Sequence, residues 1–260
     1  MATITGNLTQ VDMQPGYERL QHLLEAAQQP VVLTGLGFGQ EIDVELHAGQ
    51  SDWAHSASLE TLLVDPAGFW AFYYPAAMEV SRRQPSAAHI ALARMQSRGL
   101  VATIIAQSAD HLNTKAGAAD VIEMHGNILT AKCERCGERY GLPEIGAFLE
   151  HAADGVPRCT TPECGYPLRP SGTLWGEPLP DEAITKAWEL AASADAFIVI
   201  DSSLRTIPIS LLPSVPLTRG VPLAMIGRTA TQYDRYAQVV IRSAGAPVIE
   251  ALAERMLGAP

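Results

Sequence analysis

Basic charge is scarce in this sequence: 18 Lys and Arg stand against 28 Asp and Glu, a formal charge of −10. With a pI near 5.1, the chain lacks the positive field that releases counterions from a phosphate backbone. That argues against dedicated nucleic-acid binding. Long apolar runs are also missing. No segment approaches the roughly 18 consecutive apolar residues of a membrane span. The opening MATITGNLTQVDMQ has neither a basic n-region nor an apolar h-region. We therefore expect a soluble, cytoplasmic protein with no membrane partner. There is no internal repeat and no low-complexity tract. Cysteine occurs four times, so its placement is informative. What is present is 260 residues at 47% hydrophobic content, enough to bury a full core as one large domain, with or without a small inserted module.

Along the chain, helical and extended patterns alternate. Tyr17, Leu20, Leu24 and Ala27 recur at helical spacing over residues 17–29, and Pro30 closes that stretch. Val31 to Thr34 is a short β-type run leading into Gly35-Leu36-Gly37-Phe38-Gly39. Small residues there let a backbone approach a phosphate at a helix N-terminus, although the spacing is not Gly-x-Gly-x-x-Gly and a plain turn is the competing reading. Residues 40–75 show no clear period and read as loop and short helices. Ala88, Leu92 and Met95 share one face of a helix over 85–98, which Gly99 stops. Further strands are read at 101–105, 196–200, 222–226 and 237–241, and further helices at 181–194 and 247–257. This alternation favours a parallel sheet covered on both faces.

The four cysteines form Cys133-x2-Cys136-x22-Cys159-x4-Cys164, with Gly137 and Gly165 after the second member of each pair. Two close thiolate pairs suit a tetrahedral structural zinc, which takes four protein ligands and leaves no position open. Two disulfides or unlinked thiols are the alternatives; an intracellular setting favours zinc. The metal would staple a module too small to build its own core.

The stretch from Ala106 to Cys136 is the one around which the chain is organised. His125-Gly126 follows the extended run VIEM and would stand at a strand's C-terminal edge, where open α/β sheets place ligands. By itself such a His is more often a satisfied core or surface imidazole. Its surroundings, however, read Ala106-Gln107-Ser108-Ala109-Asp110-His111-Leu112-Asn113, then Ala116-Gly117, then Val121-Ile122-Glu123-Met124-His125-Gly126, then Cys133 and Cys136. This order resembles the sirtuin (Sir2-like) family of NAD-dependent protein-lysine deacylases, whose pattern is Thr-Gln-Asn-x-Asp-x-Leu-His, Ala-Gly, an apolar strand ending in Glu-x-His-Gly, and Cys-x-x-Cys. Matches recur from about Pro30 to the C-terminus.

The resemblance implies an α/β fold, a Rossmann-like parallel sheet with helices on both faces, built from residues 1–130 and 169–260. It includes a helical or loop excursion at about 40–84 and an inserted zinc-ribbon module at 131–168. It implies NAD as cofactor, bound by Gly35, Gly37, Gln107, Asp110 and Ser203. Asp110 would hold the nicotinamide carboxamide, Gln107 would sit near the ribose, and the glycine-rich loop would cradle the pyrophosphate. His125 would be the general base on the ribose hydroxyls, a role suited to an imidazole near neutral pH. Arg169-Pro170 and Trp175-Gly176-Glu177 stand where the family has Arg-Pro-x-x-x-x-Phe-Gly-Glu. Read alone, that segment is a turn with a buried aromatic. The resemblance makes Trp175, Gly176 and Glu177 a substrate loop that lines an acyl-lysine channel and pairs with substrate backbone, with an acyl-lysine peptide as partner.

Several family positions are changed. Gly39 replaces the Ser of the phosphate loop, Ser108 the Asn and Asn113 the His of the nicotinamide-pocket motif, and Gly227 the Asn after the strand ending at Ile226. Asp201-Ser202-Ser203-Leu204 stands for Gly-Thr-Ser-Leu, and the family's Phe-Arg pair, on the loop that closes over NAD, falls on His47 and Ala48. These losses imply weak deacylation, with His47, His55 or His111 supplying donors for a differently substituted dinucleotide. Two alternatives stand beside it. One is a glycohydrolase or ADP-ribosyl transferase acting on NAD or an NAD-derived dinucleotide. The other is a non-catalytic nucleotide-binding relative, against which retention of His125 and Asp110 counts.

Overall fold

The structure, a computed structural model, describes residues 10–39 and 52–259. Six strands lie side by side in the order β3 (Val121–Glu123), β2 (Thr103–Ala106), β1 (Pro30–Thr34), β7 (Ala196–Ile200), β8 (Leu223–Ile226) and β9 (Val239–Ile241). Every pair in this sheet is parallel. Strands β1, β7 and β8 are buried at every residue, as continuous apolar runs between two helical layers must be.

The period-two alternation of a strand then sorts side chains onto two cores. Val32, Ile104, Ile198 and Ala224 join Leu20 and Leu24 of α1 (Gln10–Ala26), Leu92 and Met95 of α5 (Ala87–Ser97), and Val248 and Leu252 of α10 (Gly245–Leu257). On the other face, Val31, Leu33, Ile105, Phe197 and Val199 pack on Ala187 and Ala191 of α8 (Asp181–Ser193). The strand order reverses between β1 and β7, so the crevice at their C-terminal ends is the topological switch point where such sheets bind ligands.

A second, antiparallel sheet runs β5 (Arg139–Gly141), β4 (Thr130–Cys133), β6 (Leu168–Pro170), with α7 (Leu142–His151) following β5. Its core is shared. Ala131, Cys133, Tyr140, Ile145 and Leu168 pack with Phe69, Trp70, Tyr73 and Ala77 of α4 (Pro66–Arg82).

Helix α4 corrects the reading of residues 40–75 as loop and short helices. The short pieces exist, as α2 (Asp52–Ser56) and α3 (Leu59–Val64), but α4 is 17 residues long. Asp65 caps it through a bond from Gly68 N–H to Oδ1 at 2.9 Å, and Pro66 sits in the first turn, where its missing N–H costs nothing. Pro75 inside the helix is a breaker by rule, and burial of the aromatic face overrides it. Helix α1 also starts upstream of Tyr17 and ends at Ala26, so Pro30 opens β1 rather than closing the helix. Short helices α6 (Leu112–Lys115) and α9 (Ser214–Thr218) and two 3-10 turns, Ile209–Leu211 and Asp234–Tyr236, complete the described elements. His47 and Ala48 lie outside the described residues. No described helix is long and apolar enough to cross a membrane.

Candidate active site and metal centre

Past the ends of β1 and β7 the backbones remain in contact. Gly35 N–H donates to the Ile200 carbonyl at 2.8 Å, and a Cβ on Gly35 would run into the Asp201 carbonyl oxygen. That oxygen is backbone and cannot swing aside, so only glycine fits. Gly37 follows, half-buried. Gly39 has a φ of +70°, and a Cβ there would stand 2.6 Å from Ser86 Oγ and against the His89 ring. A serine at this position, as in the family pattern, would be strained at this φ and would displace the Ser86 and His89 side chains. Beneath the loop, Thr34 Oγ1 is buried without a hydrogen-bond partner among the described residues.

Gln107 continues β2 into the same crevice. Its N–H donates to Thr34 O at 3.0 Å, and its Nε2 donates to Ser202 Oγ at 2.5 Å. Its carbonyl lies 2.6 Å from His125 Nδ1. A carbonyl only accepts, so Nδ1 carries the proton and Nε2 of the neutral ring keeps the lone pair. Burial pushes the His125 pKa below its ordinary value, against the Gln107 bond, which raises it. The backbone on either side of the His125-Gly126 bond is clasped as well. Thr173 N–H donates to His125 O at 2.7 Å, and Gly126, with φ +66°, would place a Cβ 2.5 Å from Ser171 O.

Asp110 Oδ1 accepts from Leu112 N–H at 3.1 Å, at the start of α6. Asn113 on that helix is 3% exposed, and its Oδ1 has no hydrogen-bond partner among the described residues. His111, at φ +63°, places Nδ1 3.0 Å from Glu123 Oε1. Burial raises the Glu123 pKa, and His111 opposes that rise. His111 is thus held by Glu123, while His55 lies exposed on α2.

Two residues near the crevice stand outside the candidate set read from the sequence. His89 is buried on α5, with Nδ1 2.8 Å from Ser86 Oγ and its ring edge-on to Phe38 at 5.2 Å. Burial lowers its pKa, and Asp110 pulls it up, which puts His89 within electrostatic reach of the site. A lone His on an otherwise apolar helix face, three residues after a Ser, was the only sign. Ser202 is the second: its buried Oγ accepts from Gln107, and Ser203 beside it is half-buried.

The expected substrate loop is braced from within. Arg169 forks onto Glu177 with two bonds of 2.6 Å, the side chains being 15% and 12% exposed, and Leu174 N–H also donates to Glu177 at 2.8 Å. Trp175 N–H donates to Ala57 O at 3.2 Å, and Leu59 N–H to Trp175 O at 2.9 Å. These groups are committed within the chain. The Trp175 ring is 46% exposed, against the reading of a turn with a buried aromatic, and Gly176 turns the loop at φ +87°.

The four cysteine Sγ atoms all lie within 4.8 Å of one another. Cys133 and Cys164 are 3.6 Å apart and Cys136 and Cys159 3.5 Å. A disulfide needs about 2.05 Å, whereas Zn–S bonds of about 2.3 Å place tetrahedral sulfurs roughly 3.8 Å apart. Gly137 and Gly165, at φ +80° and +58°, make the tight turns that bring each pair together. The donor set suits zinc, and its closure leaves no coordination position for chemistry.

The Sir2 family model matches residues 45–208. An NAD-dependent protein deacetylase of Caldivirga maquilingensis is 33% identical over 241 residues, covering 91% of this chain and 92% of that protein. An NAD-dependent protein deacetylase 1 of Geobacillus kaustophilus is 38% identical over 225 residues, covering 84% and 89%. Among solved structures, a Sir2 with p53 peptide and NAD+ superimposes with a TM-score of 0.77 at 26% identity, covering 92% of this chain and 98% of that one.

Proposed function

Because the chain belongs to the Sir2 family, we propose that it is an NAD-dependent protein-lysine deacylase with His125 as general base, weakened by the replaced motif residues. The observation that carries this is the bond between His125 Nδ1 and the Gln107 carbonyl. It fixes the tautomer that a base requires at the C-terminal edge of the sheet.

NAD fits the residues present. Thr34 Oγ1 and Asn113 Oδ1 are buried polar atoms with no hydrogen-bond partner among the described residues, and Gly35 keeps the exit of β1 bare, since a Cβ there would meet the Asp201 carbonyl. When bound, NAD supplies the nicotinamide–ribose bond, whose cleavage makes the ribose carbon electrophilic toward the acyl oxygen. The chain does the rest. Gly35 and Gly37 admit the pyrophosphate to the backbone, Asp110 and Gln107 orient the nicotinamide end, and Ser203 adds a polar contact beside Ser202. His125 takes up a proton at Nε2 from a hydroxyl held against it. Trp175, Gly176 and Glu177 shape the peptide side: the Arg169–Glu177 pair holds the loop rigid, and the exposed indole lines the channel.

Residues 131–168 form the zinc module in this reading, and residues 1–130 with 169–260 the NAD-binding domain. Zinc would be held by Cys133, Cys136, Cys159 and Cys164 in a structural role, and thiolates kept for metal suit the reducing cytoplasm.

Weak turnover follows from lost donors. Ala48, Ser108, Asn113 and Gly227 stand where the family pattern has Arg, Asn, His and Asn. A buried hydrogen bond to a charged group is worth about 1.5–3 kcal/mol, so two losses approach roughly a thousandfold. Loss of acetyl from a synthetic acetyl-lysine peptide, followed by mass spectrometry with and without NAD, tests the reading. We expect NAD-dependent loss with kcat/KM far below that of a sirtuin that keeps the full motif set. Parity would show that the replacements are compensated. The second reading is a glycohydrolase or ADP-ribosyl transferase acting on NAD or an NAD-derived dinucleotide, and nicotinamide release that does not depend on peptide would favour it.

A further inference from the structure

Asp201 occupies a position where the family pattern quoted above has Gly. It ends β7 at the switch point with φ +51°, a backbone region that Asp tolerates better than most side chains. Its Oδ2 accepts from Gly245 N–H at 2.8 Å, at the start of α10. Gly245 is packed closely here: a Cβ would stand 2.2 Å from Ile200 Cγ2 and 2.6 Å from Asp201 Oδ2. The other oxygen faces differently. A Cβ on Gly227, at the end of β8, would lie 3.7 Å from Asp201 Oδ1, so the space that an Asn side chain would fill at residue 227 adjoins that oxygen. One position has lost an amide, and its neighbour has gained a carboxylate.

The sheet order says what would come to that space. On the reading of the site proposed above, the nicotinamide end lies by His125, after β3, and the pyrophosphate at Gly35, after β1. The strands run β3-β2-β1-β7-β8-β9, so the remaining adenosine half extends over the ends of β7 and β8. A carboxylate at a strand end is the usual holder of a ribose 2′-hydroxyl, whereas a cation receives a 2′-phosphate. Arg242 is committed to Asp234 and to the Gly227 carbonyl. Burial raises the Asp201 pKa, and the Gly245 bond and the charge of Arg228 oppose that rise.

We propose that Asp201 is a specificity-determining residue: its Oδ1 accepts from the adenosine ribose hydroxyls in place of the amide lost at Gly227, and its charge rejects a phosphate ester on that ribose. The inference rests on the NAD-dependent reading. Isothermal titration of the full chain with NAD, NADP and adenosine-2′-deoxy-NAD tests it. The unmodified protein should bind NAD about ten- to a hundredfold more tightly than either analogue. Asp201→Asn and Asp201→Gly should lose most of that discrimination while circular dichroism stays unchanged. If Asp201→Gly unfolds, the near-isosteric Asp201→Asn decides through the NADP arm, and a folded variant that keeps the full preference for NAD overturns the role of Asp201. NAD binding with no preference over the two analogues overturns the role of Asp201 alone, as does NADP binding more tightly through Arg228. No NAD binding at all overturns the functional reading and this inference with it.

Discussion

Replacing His125 by Ala should lower turnover by something on the order of 10² to 10⁴, with the thermal midpoint close to that of the unmodified protein. The size follows from removing a proton acceptor that the fold takes care to orient. The Gln107 carbonyl holds Nδ1 at 2.6 Å, and the 171–173 segment clasps the following turn. The pH profile adds a second readout. Burial lowers the His125 pKa, so the base stays neutral across pH 7, and the acid limb of kcat/KM should fall below the ordinary histidine value of 6.5. Stability has the same sign. His89 and His125 both resist protonation in the folded state, so the unfolded chain takes up protons first and stability is lost as pH falls below 6.5. Turnover unchanged in the Ala variant would make His125 structural.

Replacing Cys133 by Ser should cost the fold more than the chemistry. Structural zinc in finger peptides contributes about 10–16 kcal/mol of apparent binding energy, and here the loss would spread. Cys133 is 1% exposed and packs in one core with Phe69, Trp70 and Tyr73 of α4, so an empty site loosens both the second sheet and the helix against it. We expect about one zinc per chain by elemental analysis in the unmodified protein. The variant should have a markedly lower content and a broadened, lowered melting transition. A zinc-free preparation that remains fully folded and active would contradict this.

Much of the architecture was legible because burial on both faces leaves a plain mark. Strands β1 and β7 are unbroken apolar runs, and the cysteine spacing points to a closed tetrahedral site whatever lies between the pairs. Helix α4 was hidden by two prolines and by aromatics whose partners lie in the second sheet, more than 50 residues downstream. The candidate site divides similarly. His125 and Asp110 could be read from local order. The inward turn of Glu177 depends on Arg169, and the Asp201–Gly227–Gly245 packing joins two strand ends to a helix start. Arg169 and Glu177 lie eight residues apart, but nothing in that segment's pattern says that they pair, and the Asp201 packing spans separate segments of the chain. His89 was concealed for another reason: it lies within an apolar helix face, where periodicity assigns it to the core.

The most direct test of the account is nicotinamide release from NAD by the purified chain, measured with and without an acetyl-lysine peptide. The account predicts slow release that depends on peptide, accompanied by loss of the peptide's acetyl group. Release at the same rate without peptide would contradict deacylation and favour the glycohydrolase or transferase reading, and no release under either condition would contradict both.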